Sequence, residues 1–262
     1  MGINMKLTQE MITACLDEID GKTSFYYKNL VTGEVMAVRP QEKLLAASVI
    51  KLFVLVYVFS RFEDGTLDPQ ETMTLREQDK VPPSGALYFL HEGLEVTLMD
   101  LCKLMIVFSD NVATNLLCDR VGISEIVQWM KEQGYTTSVL ARKMYDVESA
   151  QKGLQNYICA TEVADLLERL YKGSIVSEKA CTQMLQILKE QQVNGKIPFF
   201  LERLEDAPEI AHKTGEDDGI TNDVGIVFAK EPFMLLFLGN EVDTAEYERL
   251  MQDLSLELYY SE

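Results

Sequence analysis

Two stretches near the start of the chain, Ser24 to Val31 and Glu34 to Val38, are rich in β-branched and aromatic residues, and the Thr32-Gly33 pair between them is a two-residue hairpin signal. An antiparallel opening is expected, with room for a short helix before it. From Ser48 to Phe62 the chain is almost continuously apolar. Its valines also suit a buried strand, and periodicity alone does not separate the two. The length of the run, the serine at its start and Asp64-Gly65 at its end favour a buried helix.

The middle of the chain reads as helical. Thr97 and Asp100 form a capping-box-like start for Leu98 to Phe108, and Asn111 to Arg120 runs to a stop at Val121-Gly122. Helical patterns return at Ser124 to Gln133, Thr161 to Tyr171 and Ser177 to Gln191. Between Leu140 and Ala160 the period is lost, which predicts a long loop, in a compact domain usually functional or disordered. After Asn194-Gly195 and Pro198 the pattern turns to strands, Glu209 to Thr214, Thr221 to Ala229 and Phe233 to Gly239, before a last helix from Thr244 to Tyr260. Strands at both ends around central helices predict an α+β fold, an antiparallel sheet built from both termini with packed helices, plus an all-α lobe. The expected division is 1–44 with 197–262 as the α/β lobe and 45–196 as the helical lobe, a single structural unit with the active site between the lobes.

Composition narrows the function. With 262 residues and 47% apolar side chains the chain can bury a full-sized core in one or two lobes. A net charge of −18, with no run of Lys or Arg, argues against nucleic acid as a partner. The strongest apolar run, Leu52 to Phe59, is too short to span a bilayer, so no membrane is expected. Met1 to Gln9 holds no signal-peptide stretch, which reads as cytoplasmic. The five cysteines, Cys15, Cys102, Cys118, Cys159 and Cys181, form neither a ligand set nor a disulfide framework and read as buried free thiols. His91 and His212 lack ligand spacing, and Glu216 to Gly219 reads as an acidic hairpin turn rather than a calcium loop; no metal and no cofactor is expected.

Three patterns stand in order: Ser48-Val49-Ile50-Lys51, Ser109-Asp110-Asn111 and Lys213-Thr214-Gly215. Ser-x-x-Lys arises by chance about once in a chain of this length and each exact tripeptide in roughly one such chain in twenty, so the weight lies in their joint, ordered occurrence. A serine hydroxyl is a weak nucleophile until a base lies within hydrogen-bond reach, and Lys51, one helical turn after Ser48, faces the same side. Free N–H groups at a helix start can stabilise a developing oxyanion. Singly, each pattern has a plain structural reading: Ser48 as an N-cap, Lys51 as a snorkelling lysine, Ser109-Asp110-Asn111 as a helix-to-helix turn and the last triplet as a strand end.

Together the patterns resemble those of the class A β-lactamases within the penicillin-recognising serine hydrolases. The likeness covers nearly the whole chain, since Gly93-Leu94-Glu95-Val96-Thr97, Asn111-Val112-Ala113-Thr114-Asn115 and Asn222-Asp223-Val224-Gly225 are also similar to segments of that family. The resemblance implies a hydrolase, associated with antibiotic resistance, that forms an acyl-enzyme on Ser48 with Lys51 as base. Ser109 would pass a proton to the leaving nitrogen, Asn111 would hydrogen-bond the substrate's amide side chain, and Asp110 would brace the turn. Lys213 and Thr214 would hold the substrate carboxylate. Gly215 and Glu216 complete the binding strand, the N–H of Glu216 sharing the oxyanion hole with that of Ser48. The implied partner is a small molecule, a β-lactam or a related amide or ester.

Two departures qualify the likeness. Where the family carries a loop glutamate in a Leu-x-Arg-x-Glu context to activate the deacylating water, this chain has Leu140-Ala141-Arg142-Lys143-Met144. Asp146 and Glu148 are close but displaced, and Asn156 takes the place of the aspartate that usually pairs with the loop arginine. Thr221 stands where many relatives have a carboxylate-binding arginine. Slow deacylation and modest affinity for penicillins are expected. The alternatives are a D,D-peptidase or esterase of the same superfamily, and a β-lactam-binding module that acylates without turnover.

Overall fold

The computed structural model describes residues 7–82 and 84–261. In chain order its elements are α1 (Gln9–Asp17), β1 (Lys22–Asn29), β2 (Val35–Val38), β3 (Leu44–Leu45), α2 (Lys51–Glu63), β4 (Thr72–Thr74), β5 (Glu95–Thr97), α3 (Leu98–Val107), α4 (Asn111–Val121) and α5 (Ile123–Glu132). There follow α6 (Val147–Gln151), β6 (Tyr157–Ile158), α7 (Ala160–Tyr171), α8 (Glu178–Lys189), α9 (Pro198–Leu201), β7 (Glu209–Asp217), β8 (Ile220–Phe228), β9 (Phe233–Asn240) and α10 (Thr244–Ser261). Over the described residues the chain divides into two compact units. The first comprises residues 7–49, 159–168 and 194–261, and the second 50–82, 84–158 and 169–193.

The first unit is built on a five-stranded antiparallel sheet in the order β2-β1-β9-β8-β7, so strands from both ends of the chain form one sheet and β7 lies at its edge. All of β9 is buried, as is β8 up to Val227. Helices α1 and α10 bring Ile12, Leu16, Tyr247, Met251 and Leu254 into a core with Phe25, Tyr27, Leu235 and Phe237 of the sheet. Each such side chain stabilises the fold by about 1.5–3 kcal/mol when fully buried.

The second unit is helical. Lys51 to Phe59 of α2 are buried without interruption, the signature of a helix enclosed on all sides, and α3, α4, α5 and α8 pack around it. Edge-to-face contacts, Phe53 on Tyr135 at 5.3 Å and Tyr57 on Trp129 at 6.0 Å, fix α2 against α5 and the turn after it.

The structure corrects several local expectations. The first hairpin is not a two-residue turn at Thr32-Gly33. Asn29 Oδ1 accepts from the N–H groups of Val31 and Thr32, each at 2.8 Å, which ends β1 at Asn29 and lengthens the loop. Ser48 does not cap the buried helix: Ala47–Ile50 form a 3-10 turn and α2 starts at Lys51. The acidic segment is strand as far as Asp217, and the turn is Asp218-Gly219, with Gly219 at φ 65°. The stretch from Leu140 to Ala160 contains α6 and β6. The β4–β5 ribbon has no counterpart in the pattern because strands of three residues are too short to show a period.

Candidate active site

In the first unit, half-buried Ser48 lies in the Ala47–Ile50 turn, which the chain enters through Ala47 at φ 43°. A left-handed alanine costs about 1–3 kcal/mol and persists only where its surroundings hold it. Here the holders are side chains: Asn222 Nδ2 donates to the carbonyls of Leu45 and Ala46, both at 3.2 Å, and Leu45 N donates to Asn240 Oδ1 at 2.6 Å. Strand β7 approaches the same turn. A Cβ at Gly215 would come within 2.8 Å of Ala46 O and 3.1 Å of Ser48 N, so only glycine permits this approach.

In the second unit, Lys51 is fully buried and its Nζ donates to Ser109 O at 2.7 Å, to Ser109 Oγ at 3.1 Å and to Asn111 Oδ1 at 2.8 Å. These acceptors match the donors of an ammonium and compensate its burial. Ser109 sits at φ 53° in the turn between α3 and α4. Asp110 sets that turn, as the resemblance implies. Its Oδ1 caps α4 by accepting from Ala113 N at 2.9 Å, and its Oδ2 accepts from Ala86 N and Leu87 N at 2.7 and 2.8 Å. Gly85 is glycine because a Cβ there would lie 2.3 Å from the Asp110 carboxyl group.

The same helix α4 positions the loop that follows α5. Met144 N donates to Asn115 Oδ1 at 2.8 Å, and Asn115 Nδ2 donates to Met144 O at 3.0 Å. This clamp grips backbone atoms alone and is indifferent to the side chain at 144. Asn156 Oδ1 accepts from the N–H groups of Ala141 and Arg142, while the Arg142 guanidinium turns to Gln155 Oε1, its Nη2 at 2.9 Å. Neutral amides thus close the loop. The two displaced carboxylates are occupied: Asp146 caps α6, with the hydrogen bonds from Ser149 holding its carboxyl below the usual range, and exposed Glu148 pairs with Lys152. A cleft of about 420 Å³ borders the loop, lined by Asn115, Asp119, Arg142 and Met144 among others.

Lys213, in the first unit, is fully buried, and its Nζ donates to Thr214 O at 2.7 Å. Burial pulls its pKa down to about 7, opposed by the charges of Asp223 and Glu216 and assisted by Lys196. Lys196 escaped the sequence reading. Its buried Nζ pairs with the Glu216 carboxylate and lies 3.5 Å from Glu248. The signal in the sequence is a lone basic residue between Gly195 and the apolar Ile197-Pro198-Phe199-Phe200, a setting in which a charge needs a buried partner. The preceding residue of β7, His212, places Nδ1 2.9 Å from Asp223 Oδ1, and Asp223 Oδ2 accepts from Ile197 N at 3.0 Å, which pins the chain next to Lys196. Among the described residues no cluster of His, Cys, Asp or Glu is arranged to hold a metal ion.

The sequence model described as the beta-lactamase enzyme family matches residues 7–261. A beta-lactamase of Rhodobacter capsulatus is 25% identical over 222 residues, covering 83% of this chain and 74% of that protein. The structure is similar to that of a beta-lactamase from Sphaerobacter thermophilus, with a TM-score of 0.88 and 27% identity over 97% of this chain and 98% of that one. It is also similar to PBP-A in an acyl-enzyme complex of a mutant with penicillin G, with a TM-score of 0.86 and 25% identity over 97% of this chain and 95% of that one.

Proposed function

We propose, from the premise that this chain belongs to the beta-lactamase enzyme family, that it is a class A-like serine hydrolase in which Ser48 Oγ attacks the acyl carbonyl of a β-lactam or a related amide or ester. The Lys51 ammonium first releases one proton to solvent; as the amine it takes the Ser48 hydroxyl proton and hands it through Ser109 Oγ, 3.1 Å from Nζ, to the leaving nitrogen. The backbone N–H groups of Ser48 and Glu216 receive the oxyanion, and Gly215 leaves the strand beside Ser48 unobstructed. Asn111, whose Oδ1 is taken by Lys51, keeps its amide N–H groups for the substrate's side chain. Lys213 and Thr214 take the substrate carboxylate.

One observation carries this reading: a fully buried lysine, one turn after the serine in the chain, bonded to Ser109 and Asn111. The acyl-enzyme of the PBP-A mutant with penicillin G supports the same chemistry. A second reading, acylation with arrested release as in a binding module or a peptidase-like enzyme, is favoured by Met144, whose thioether cannot take a proton from water. The test is labelling with a serine-directed phosphonate followed by peptide mapping. The adduct is expected on Ser48 and absent from Ser48→Ala; labelling of that variant at the parent rate would refute the assignment.

A further inference from the structure

We infer that Glu216 is a built-in carboxylate ligand of Lys196 that makes this site discriminate against carboxylate-bearing acyl substrates in favour of neutral ones; the inference rests on the acyl-transfer reading above. Side chains alternate along a strand, so Thr214 and Glu216 project to the same face of β7. Glu216 is paired across the ladder with Thr221, whose Oγ1 donates to Glu248 Oε1 at 2.8 Å. The Lys196 ammonium therefore lies between two carboxylates, those of Glu216 and Glu248, beside the strand that carries Lys213 and Thr214.

Exposure separates the two partners of the closer pair. The Lys196 side chain is 2% exposed and that of Glu216 is 54% exposed, so Glu216 is the solvent-facing partner of a buried cation. A substrate carboxylate held at Thr214 arrives on the face of β7 that already carries the Glu216 carboxylate two residues away, and it either displaces that group or adds a further negative charge beside it. Lys213 adds less than a full compensating charge at neutral pH, because burial lowers its pKa to about 7. Thr221 supplies none. A neutral acyl donor meets no such competitor, and the like-charge penalty falls on the anionic substrate alone. The Glu216 side chain thus acts on selection among substrates, while the backbone N–H of the same residue keeps its place in the oxyanion hole.

The experiment compares benzylpenicillin with its methyl ester as acyl donors and reads the ratio of their acylation rate constants. Glu216→Gln leaves the buried Lys196 ammonium its second carboxylate, Glu248 at 3.5 Å, and a glutamine oxygen as acceptor, and thermal unfolding of the variant checks that it is folded before rates are compared. In Glu216→Gln the ratio of acid to ester should rise about tenfold, equivalent to about 1.4 kcal/mol. Adding Lys196→Gln should cancel that rise. Calorimetric binding of benzylpenicilloate, which cannot acylate, reads the same preference without chemistry and should tighten in Glu216→Gln. Tighter penicilloate binding with no adduct on any variant would overturn the acyl-transfer reading and leave the charge competition standing. An unchanged ratio and unchanged penicilloate affinity in folded Glu216→Gln, with Ser48 still acylated, would overturn the inference alone. No adduct and no change in affinity would overturn both.

Discussion

Lys213 is a residue whose chemistry depends strongly on its surroundings. Its pKa falls from 10.5 to about 7 because the charged form is buried, so the folded chain releases this proton near neutrality while the unfolded chain keeps it to far higher pH. Between those two values the unfolded state binds more protons, and the stability cost of burying Lys213 diminishes as pH rises. The stability of the parent relative to Lys213→Met, followed by urea unfolding, should therefore increase from pH 7 to pH 10; a flat difference would place the titration elsewhere. The thiols give a simpler test. Cys102, Cys118, Cys159 and Cys181 are buried, burial pushing the Cys118 thiol up to about 12, and Cys15 alone is partly exposed. Thiol titration of the native protein should modify Cys15 first, and denaturation without reductant should reveal all five cysteines.

At the scale of elements, the loop gripped by Asn115 decides whether acylation and release separate. Because the clamp holds the backbone of Met144, a glutamate there enters a position that is already fixed. General-base catalysis contributes about 10²–10⁴ in rate, so Met144→Glu should hasten decay of the penicilloyl-enzyme by a factor in that range. Decay as slow as the parent's in a folded Met144→Glu would show that the missing base is not the cause. Strand β7 gives the complementary test. Gly215→Ala places a Cβ 2.8 Å from Ala46 O, and the strand must shift to relieve it. Acylation should fall at least tenfold, a rise of about 1.4 kcal/mol in the barrier, since small misplacements of reacting groups are costly. An unchanged acylation rate would show that the approach of β7 to Ser48 is not needed.

For the molecule as a whole, what the sequence discloses is what short range determines. The sheet strands and central helices are legible because long runs display their period, and the motif residues are legible because their spacings are chemically meaningful. The rest is set by contacts between distant residues. Lys196 meets Glu216 across 20 positions, Asn115 meets Met144 across 29, and Asn222 reaches Ala46 across 176. No local pattern encodes such pairings, and the turn that carries Ser48 reads as a helix start in the sequence because its left-handed Ala47 is stabilised from a distance, by Asn222 and Asn240. The central claim, an acyl-enzyme on Ser48, is tested most directly by an intact-mass time course after mixing the protein with benzylpenicillin. A species heavier by the mass of one benzylpenicillin should accumulate, persist and map to Ser48, while Ser48→Ala should remain unmodified. Loss of benzylpenicillin on Ser48→Ala at the parent rate, or an adduct of equal extent on Ser48→Ala, would contradict it.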